Sequence, residues 1–332
     1  MRLHENKILF RQAIQFTSDQ MQILPIFVEK DYWVTYALHT IFNNPIGNDT
    51  VFKGGTALSK CYKIIDRFSE DIDLVVLRRE GEKNNRLKTK IKNISKTVEA
   101  VLPEVNVEGL TVKMGMNRKT AHTYKKEFDG NFGQVRDIIV VEATWLGYYE
   151  PHTSQKLNSF VGEMMLNSGQ EKVAQENGLL SFDVRVLEPI RTLCEKIMSL
   201  VRFSYSENPI DNLKKKVRHT YDLHQLLQQK ELSDFFNSPD FEKLLLKVAN
   251  DDVVSFKNNN QWLVHHPGEA LMFKNLDKVW DVLKIVYNDD FKNLVYGALP
   301  DDKKILGSIR KIKERLKSIT WHLKIKMDEK HI

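Results

Sequence analysis

The stretch Lys53-Gly54-Gly55-Thr56-Ala57-Leu58-Ser59-Lys60, with Arg67-Phe68-Ser69-Glu70-Asp71-Ile72-Asp73-Leu74-Val75-Val76-Leu77 after it, decides how the rest of the chain is read. Two glycines let the backbone turn sharply and approach a ligand, and a helix starting there presents N–H groups suited to phosphate oxygens. The run from Asp71 to Leu77 has the β-branched, apolar look of a buried strand. Residues two apart on a strand share a face, so Asp71 and Asp73 place two carboxylates side by side at the edge of a sheet. Adjacent carboxylates repel unless a cation lies between them, and hard oxygen ligands at this spacing suit Mg2+ or Mn2+ bound together with triphosphate oxygens. Taken singly, Gly-Gly-Thr also makes a turn with an N-cap, and Asp-x-Asp also ends a solvated strand. Their combination on consecutive elements points to a metal–nucleotide site. Neither G-x-x-x-x-G-K-[ST] nor G-x-G-x-x-G occurs in the chain, which excludes P-loop and Rossmann readings.

Upstream, Ile8, Phe10, Ile14, Phe16 and Met21, then Trp33, Tyr36, Ala37 and Ile41, repeat at helical spacing and predict two helices. Glu29-Lys30-Asp31 reads as a solvated helix start, and a helical run is predicted from Thr56 to Ile65. Downstream, Leu87, Ile91, Ile94 and Val98 give an amphipathic helix with a Lys-rich outer face. Strands are predicted over 105–116 and 137–145, and the polar stretch 148–178 reads as a meandering connection with short strands. From Val186 onward the pattern is helical, beginning with Leu187, Ile190, Leu193, Ile197 and Leu200. The expected fold is α+β over 1–184, joined to a mainly helical half over 185–332.

The 332 residues suffice for two domains, and 42% hydrophobic with 28% charged residues argues against global disorder. Cys61 and Cys194 are too few for a disulfide framework and lack zinc-site spacing, so a reducing cytoplasm is the expectation. No stretch reaches the ~18 apolar residues of a membrane span. The net charge of +6 is uneven: residues 303–330 hold ten Lys and Arg against three acids. With Lys214-Lys215-Lys216-Arg218 and the Lys-rich helix at 83–96, this basic surface reads either as a track for RNA phosphates or as solvated helix faces. His265-His266 precede Pro267 without a third nearby ligand and read as a loop, and Cys194 as an apolar filler.

The segments from Gly54 to Lys60 and from Arg67 to Leu74 resemble the first two motifs of the AbiEii/AbiGii (MenT-like) toxin nucleotidyltransferases of the DNA polymerase β-like superfamily. The resemblance extends to Glu29-Lys30-Asp31-Tyr32-Trp33, to Leu193-Cys194-Glu195-Lys196-Ile197 and to Arg218-His219-Thr220-Tyr221-Asp222-Leu223, and so covers about residues 28 to 228. It implies a polymerase β-like nucleotidyltransferase domain with a mixed sheet over 1–184, a helical domain over 185–332 that completes the active-site cleft, and transfer of a nucleotide from an NTP, with Mg2+, onto an acceptor. For studied members the acceptor is tRNA, usually its 3′ end, and growth arrest follows; a cognate antitoxin is the implied protein partner.

Carried over residue by residue, the resemblance has Gly55 and Thr56 contact the triphosphate and Asp71 and Asp73 hold the metal. Lys196 matches the family's functional lysine and Asp222 its later aspartate, with Arg67 or Lys60 as phosphate contacts. Phosphoryl-type transfer relies on positioned positive charge, so a lysine neutralising the leaving pyrophosphate is expected, and Lys196 is assigned that role. Read from the residues alone, Lys196 also snorkels from an apolar helix, and Asp222 also pairs with Arg218 one turn earlier. Thr56 stands where the superfamily usually has Ser, and residues 57–70 make a longer spacer than usual. A third carboxylate is typical of the superfamily; Glu142 is the best-placed residue, and pairing with a surface lysine is its other reading. Two further functions fit the same sequence: nucleotidyl or phosphate transfer to a protein, and a non-catalytic nucleotide- or RNA-binding module.

Overall fold

The computed structural model describes residues 1–113, 115–130, 135–147, 149–256, 259–323 and 325. They form two units, Met1–Trp145 with Pro151–Leu187, and Leu146–Glu150 with Glu188–Ile332. The division expected at 184/185 falls inside a strand; the break lies at Leu187/Glu188, where Pro189 opens a helix.

In the first unit, Asn6 caps α1 (Lys7–Met21) by accepting from the Leu9 N–H at 3.1 Å, and Gln22 ends it in the left-handed conformation. α2 (Pro25–Phe42) starts on a proline and is buried on almost every side, its charged Glu29-Lys30-Asp31 included. Seven strands follow: β1 (Thr50–Lys53), β2 (Ile72–Val76), β3 (Glu104–Val105), β4 (Asn117–His122), β5 (Ile139–Thr144), β6 (His152–Leu157) and β7 (Phe182–Leu187). Their order across the sheet is β3-β4-β5-β2-β1-β7-β6. β2 runs antiparallel to β1 and parallel to β5, while β1 runs parallel to β7, so the sheet is mixed as expected. Between β1 and β2 lies α3 (Gly54–Lys60); α4 (Asn84–Glu99) follows β2, and α5 (Phe160–Asn167) and α6 (Glu171–Glu176) link β6 to β7.

Three local expectations are corrected. The helix predicted to Ile65 stops at Lys60: the chain reverses through Lys63 at φ 54°, closed by the Ile64 N–H donating to the Leu58 carbonyl, and Ile65 drops into the core. The strand predicted over 105–116 shrinks to β3, because a turn at Gly109 (φ +72°) loops the chain out of the sheet before Val112 rejoins it opposite Lys119, and the longer strand lies at 117–122. Within 148–178 the sequence pattern left α5 and α6 unread; Ser159 caps α5 by accepting from the Gly162 N–H at 3.0 Å. Met114 and Tyr148, at one edge of each of these predicted stretches, lie outside the described residues.

The second unit is helical: α7 (Pro189–Ser204), α8 (Pro209–Lys214), α9 (Val217–Gln228), α10 (Lys230–Asn237), α11 (Pro239–Ser255), α12 (Leu271–Lys274), α13 (Leu276–Asn288) and α14 (Asp302–Lys317). α7 buries Leu193, Cys194, Ile197, Leu200 and Val201 and packs on α11, α8 and α9. α14 lays Ile305, Ile309, Ile312 and Leu316 against α9 and α13, each worth roughly 1.5–3 kcal/mol of apolar burial, with its lysines facing out. Of the basic segment, Lys324, Lys326 and Lys330 lie outside the described residues.

Candidate active site

β1 ends at Lys53, which pairs in register with Asp73 of β2. The next residue, Gly54, sits at φ +82°, and a Cβ there would lie 2.4 Å from the Asp73 Oδ2. Only glycine meets both conditions, since L-residues are strained at this φ and the carboxylate fills the space of a side chain. Gly55 is equally confined: a Cβ would lie 2.6 Å from the Arg67 Nη2 and 3.1 Å from the Ser69 Oγ. Thr56 Oγ1 donates to the Asp71 carbonyl at 2.6 Å and shares a 3.0 Å hydrogen bond with Ser69 Oγ. The hydroxyl expected at a triphosphate is thus buried and ties α3 to the start of β2.

The sheet register lines up charge across four strands. Lys53 faces Asp73, Asp73 faces Glu142 on β5, and Glu142 faces Lys119 on β4. Asp71, two residues before Asp73, joins the same face. Burial, then the neighbouring carboxylates of Asp71 and Glu142, pushes the Asp73 carboxyl up to about 7. Glu142 stands opposite Asp73 in the sheet register, and its oxygens meet Lys119 Nζ at 3.1 Å and Asn117 Nδ2 at 3.0 Å. Among the described residues no cluster of three or more His, Cys, Asp or Glu is assembled to hold a metal on its own. Two carboxylates on one strand face nonetheless fit the chemistry of Mg2+, which takes one or two carboxylates plus substrate phosphates. Asn117 Oδ1, buried beside Glu142 without a hydrogen-bond partner, adds a hard oxygen to that set.

The triplet Glu29-Lys30-Asp31, read as a solvated helix start, is buried on α2, and each residue serves a different segment. Glu29 accepts from the backbone N–H groups of Glu127 (2.7 Å) and Phe128 (3.1 Å). Lys30 pairs with Glu70 and donates to the Arg136 carbonyl, while Glu70 accepts from the Arg136 N–H at 3.1 Å. Asp31 accepts from the Phe160 N–H at 2.7 Å and pairs with Lys60. Burial lowers the Lys30 ammonium and raises the Glu70 carboxyl, each opposed by the attraction of the other.

Two residues expected at the phosphates are buried in this structure. Lys60, expected at the phosphates, is 2% exposed, with its ammonium between Asp31 and the Phe160 ring. Arg67 is 1% exposed; it lies under Gly55 and donates to the Phe68 carbonyl at 3.1 Å. Sequence reasoning missed Arg136, whose Nη1 lies 3.3 Å from Asp71 Oδ1 and 3.7 Å from Glu70 Oε1. It also missed the structural use of Lys30 and Glu70. The available signal was three charges set between Ile26-Phe27-Val28 and Tyr32-Trp33-Val34, where no polar helix face exists.

Within the second unit, Lys196 on α7 and Asp222 on α9 form a buried ion pair, Nζ to Oδ2 2.6 Å. Two residues singled out by sequence 26 positions apart are therefore in direct contact. Beside them on α7, Cys194 is fully buried and burial raises its thiol, which makes it the apolar filler expected. His265 stacks on Tyr205 and His266 Nε2 contacts the Ile319 carbonyl, so both serve local structure.

A mixed sheet whose antiparallel β1–β2 pair carries a glycine turn and two acids on one face, with a helical unit following in the chain, is the α+β arrangement expected of a nucleotidyltransferase. The family model described as nucleotidyl transferase AbiEii toxin, type IV toxin–antitoxin system, matches residues 37–300, and the chain belongs to that family. Among solved structures it is similar to MenT4, a nucleotidyltransferase toxin from Mycobacterium tuberculosis H37Rv, at a TM-score of 0.52 and 15% identity over 89% of this chain and 84% of that one. No curated protein sequence matches the chain as a relative. The protein is thus a nucleotidyltransferase of the AbiEii toxin type. Among the described residues no helix is long and apolar enough to cross a membrane.

Proposed function

We propose that this nucleotidyltransferase transfers NMP from an NTP to an RNA acceptor, the 3′ end of tRNA, and so arrests growth as part of a toxin–antitoxin or phage-defence (abortive infection) system with a cognate antitoxin. The acceptor's terminal hydroxyl attacks the α-phosphorus, the bond to the bridging oxygen of the β-phosphate breaks, and pyrophosphate leaves with the electron pair. Asp71 and Asp73 would hold Mg2+ or Mn2+, which supplies Lewis-acid neutralisation of phosphate charge. The Gly54-Gly55 turn gives the triphosphate a close backbone approach and, through the missing Cβ of Gly54, leaves the Asp73 carboxylate its place. Thr56 acts on the site through the Asp71 backbone. Lys196 is assigned the neutralisation of pyrophosphate, and Asp222 the orientation of that lysine. Glu142, which contacts Lys119 and Asn117, would be the third carboxylate toward that cation.

The observation that carries this reading is the placement of Asp71 and Asp73 on one strand face, with Asp73 pressed against Gly54. RNA as acceptor is supported by the basic faces of α4 and α14 and by Lys214–Lys216 with Arg218. The test is incubation with α-labelled NTP, Mg2+ and a whole-cell extract, followed by RNase or protease. RNase-sensitive label at tRNA size, with growth arrest on induction, is expected; label that only protease removes would assign the transfer to a protein target instead.

A further inference from the structure

Arg136 has an unusual anchorage for a half-exposed residue. Its N–H donates to Glu70 Oε1 and its carbonyl accepts from Lys30 Nζ, so one buried ion pair grips both polar groups of its backbone. Lys30 is 0% and Glu70 4% exposed, and such pairs seldom add net stability, because desolvating two charges costs about what their attraction returns. Their retention calls for a reason other than stability. The clamp ends at a guanidinium, 43% exposed, that touches Asp71 Oδ1 through Nη1 alone. Nε and Nη2 have no partner among the described residues, which leaves donors aimed from a fixed backbone. Lys60 and Arg67, the cations expected at the phosphates, are turned inward. Arg136 is a cation that stays in reach of solvent beside the acid pair, and a planar guanidinium is the side chain best matched to phosphate oxygens.

We infer that Arg136 grips the triphosphate of the incoming NTP, and that Lys30 and Glu70 are positioning residues that fix where that grip is offered. The inference rests on the nucleotidyl-transfer reading above and names a phosphate contact that reading lacks. When the triphosphate arrives, Arg136 keeps its clamped backbone and turns the open edge of its guanidinium from Asp71 toward the phosphate oxygens.

The test compares Arg136→Ala, Arg136→Lys and the double variant Lys30→Met/Glu70→Leu with wild type. The readouts are KM for NTP, KM for RNA, and the Kd of a non-hydrolysable NTP analogue measured in EDTA, since an arginine–phosphate contact needs no cation. Loss of one charge-assisted contact is expected to raise NTP KM and analogue Kd about tenfold in Arg136→Ala, with RNA KM unmoved and partial recovery in Arg136→Lys. The double variant is expected to remain folded and to match Arg136→Ala, and adding Arg136→Ala to it is expected to cost nothing more. An analogue Kd in Arg136→Ala within about twofold of wild type, or a rise confined to RNA KM, would overturn the inference. Because the analogue measurement needs no turnover, it decides Arg136 even if the wild-type protein labels no RNA, which would be a failure of the transfer reading alone.

Discussion

Gly54 and Asp73 exclude each other's growth: a single methyl on Gly54 would come within 2.4 Å of the Asp73 carboxylate, at a φ of +82° that already strains any L-residue. Gly54→Ala is therefore expected to lower stability by about 1–3 kcal/mol and to displace Asp73 from the strand face. Thermal unfolding together with NMP transfer measures both effects. An active, undisturbed Gly54→Ala protein would show that the turn has room the geometry denies it.

Asp73 makes the metal-free site costly. Burial and its acidic neighbours raise its folded-state pKa to about 7, above the ordinary value of 3.8. A raised folded pKa means that this acid's contribution to stability is fully present below pH 3.8 and is lost as pH rises through 7. Asp73→Asn removes that loss while keeping the shape. In EDTA, its melting temperature is expected to exceed that of wild type by a margin that widens from pH 4 to pH 7 and then levels, as the 3.8-to-7 window requires. A variant that melts below wild type at pH 8 would contradict the raised carboxyl.

Thr56 separates a structural hydroxyl from a substrate-binding one. Its bond to the Asp71 carbonyl predicts that Thr56→Val destabilises the fold by about 1–2 kcal/mol, since a part-buried carbonyl loses this donor, while Thr56→Ser behaves nearly as wild type. Denaturant unfolding reads this directly. Unchanged stability in Thr56→Val combined with a raised NTP KM would return the hydroxyl to the triphosphate.

Lys196 and Asp222 are expected to show opposite stability effects singly and together. Lys196→Met strands the fully buried Asp222 carboxylate and should cost about 3–5 kcal/mol, whereas Lys196→Met/Asp222→Leu should recover most of that loss without recovering transfer. Full activity in the refolded double variant would mean that the pair has no part in the reaction.

The strand of acids was legible in the sequence because a period of two and a β-branched run leave little choice of face, and β2 and β5 lie where that pattern puts them. Edge strand β6, HTSQKL, was not, because an exposed edge carries almost no apolar alternation. Glu29-Lys30-Asp31 was misread for a different reason. Its partners lie far along the chain: Glu70 is 40 residues from Lys30, and the Arg136 carbonyl 106. Nothing local distinguishes a buried charge with a distant partner from a solvated one. The burial of Lys60 and Arg67 was illegible for the same reason, since a cation next to a glycine turn reads alike whether it faces a ligand or the core. Lys196 and Asp222 became a pair only once α7 and α9 were packed.

The most direct test of the central claim is label transfer from α-labelled NTP to purified tRNA with Mg2+, comparing wild type with Asp71→Ala and Asp73→Ala proteins confirmed to be folded. The account predicts labelled tRNA from wild type and none from either variant; equal labelling by all three would contradict it.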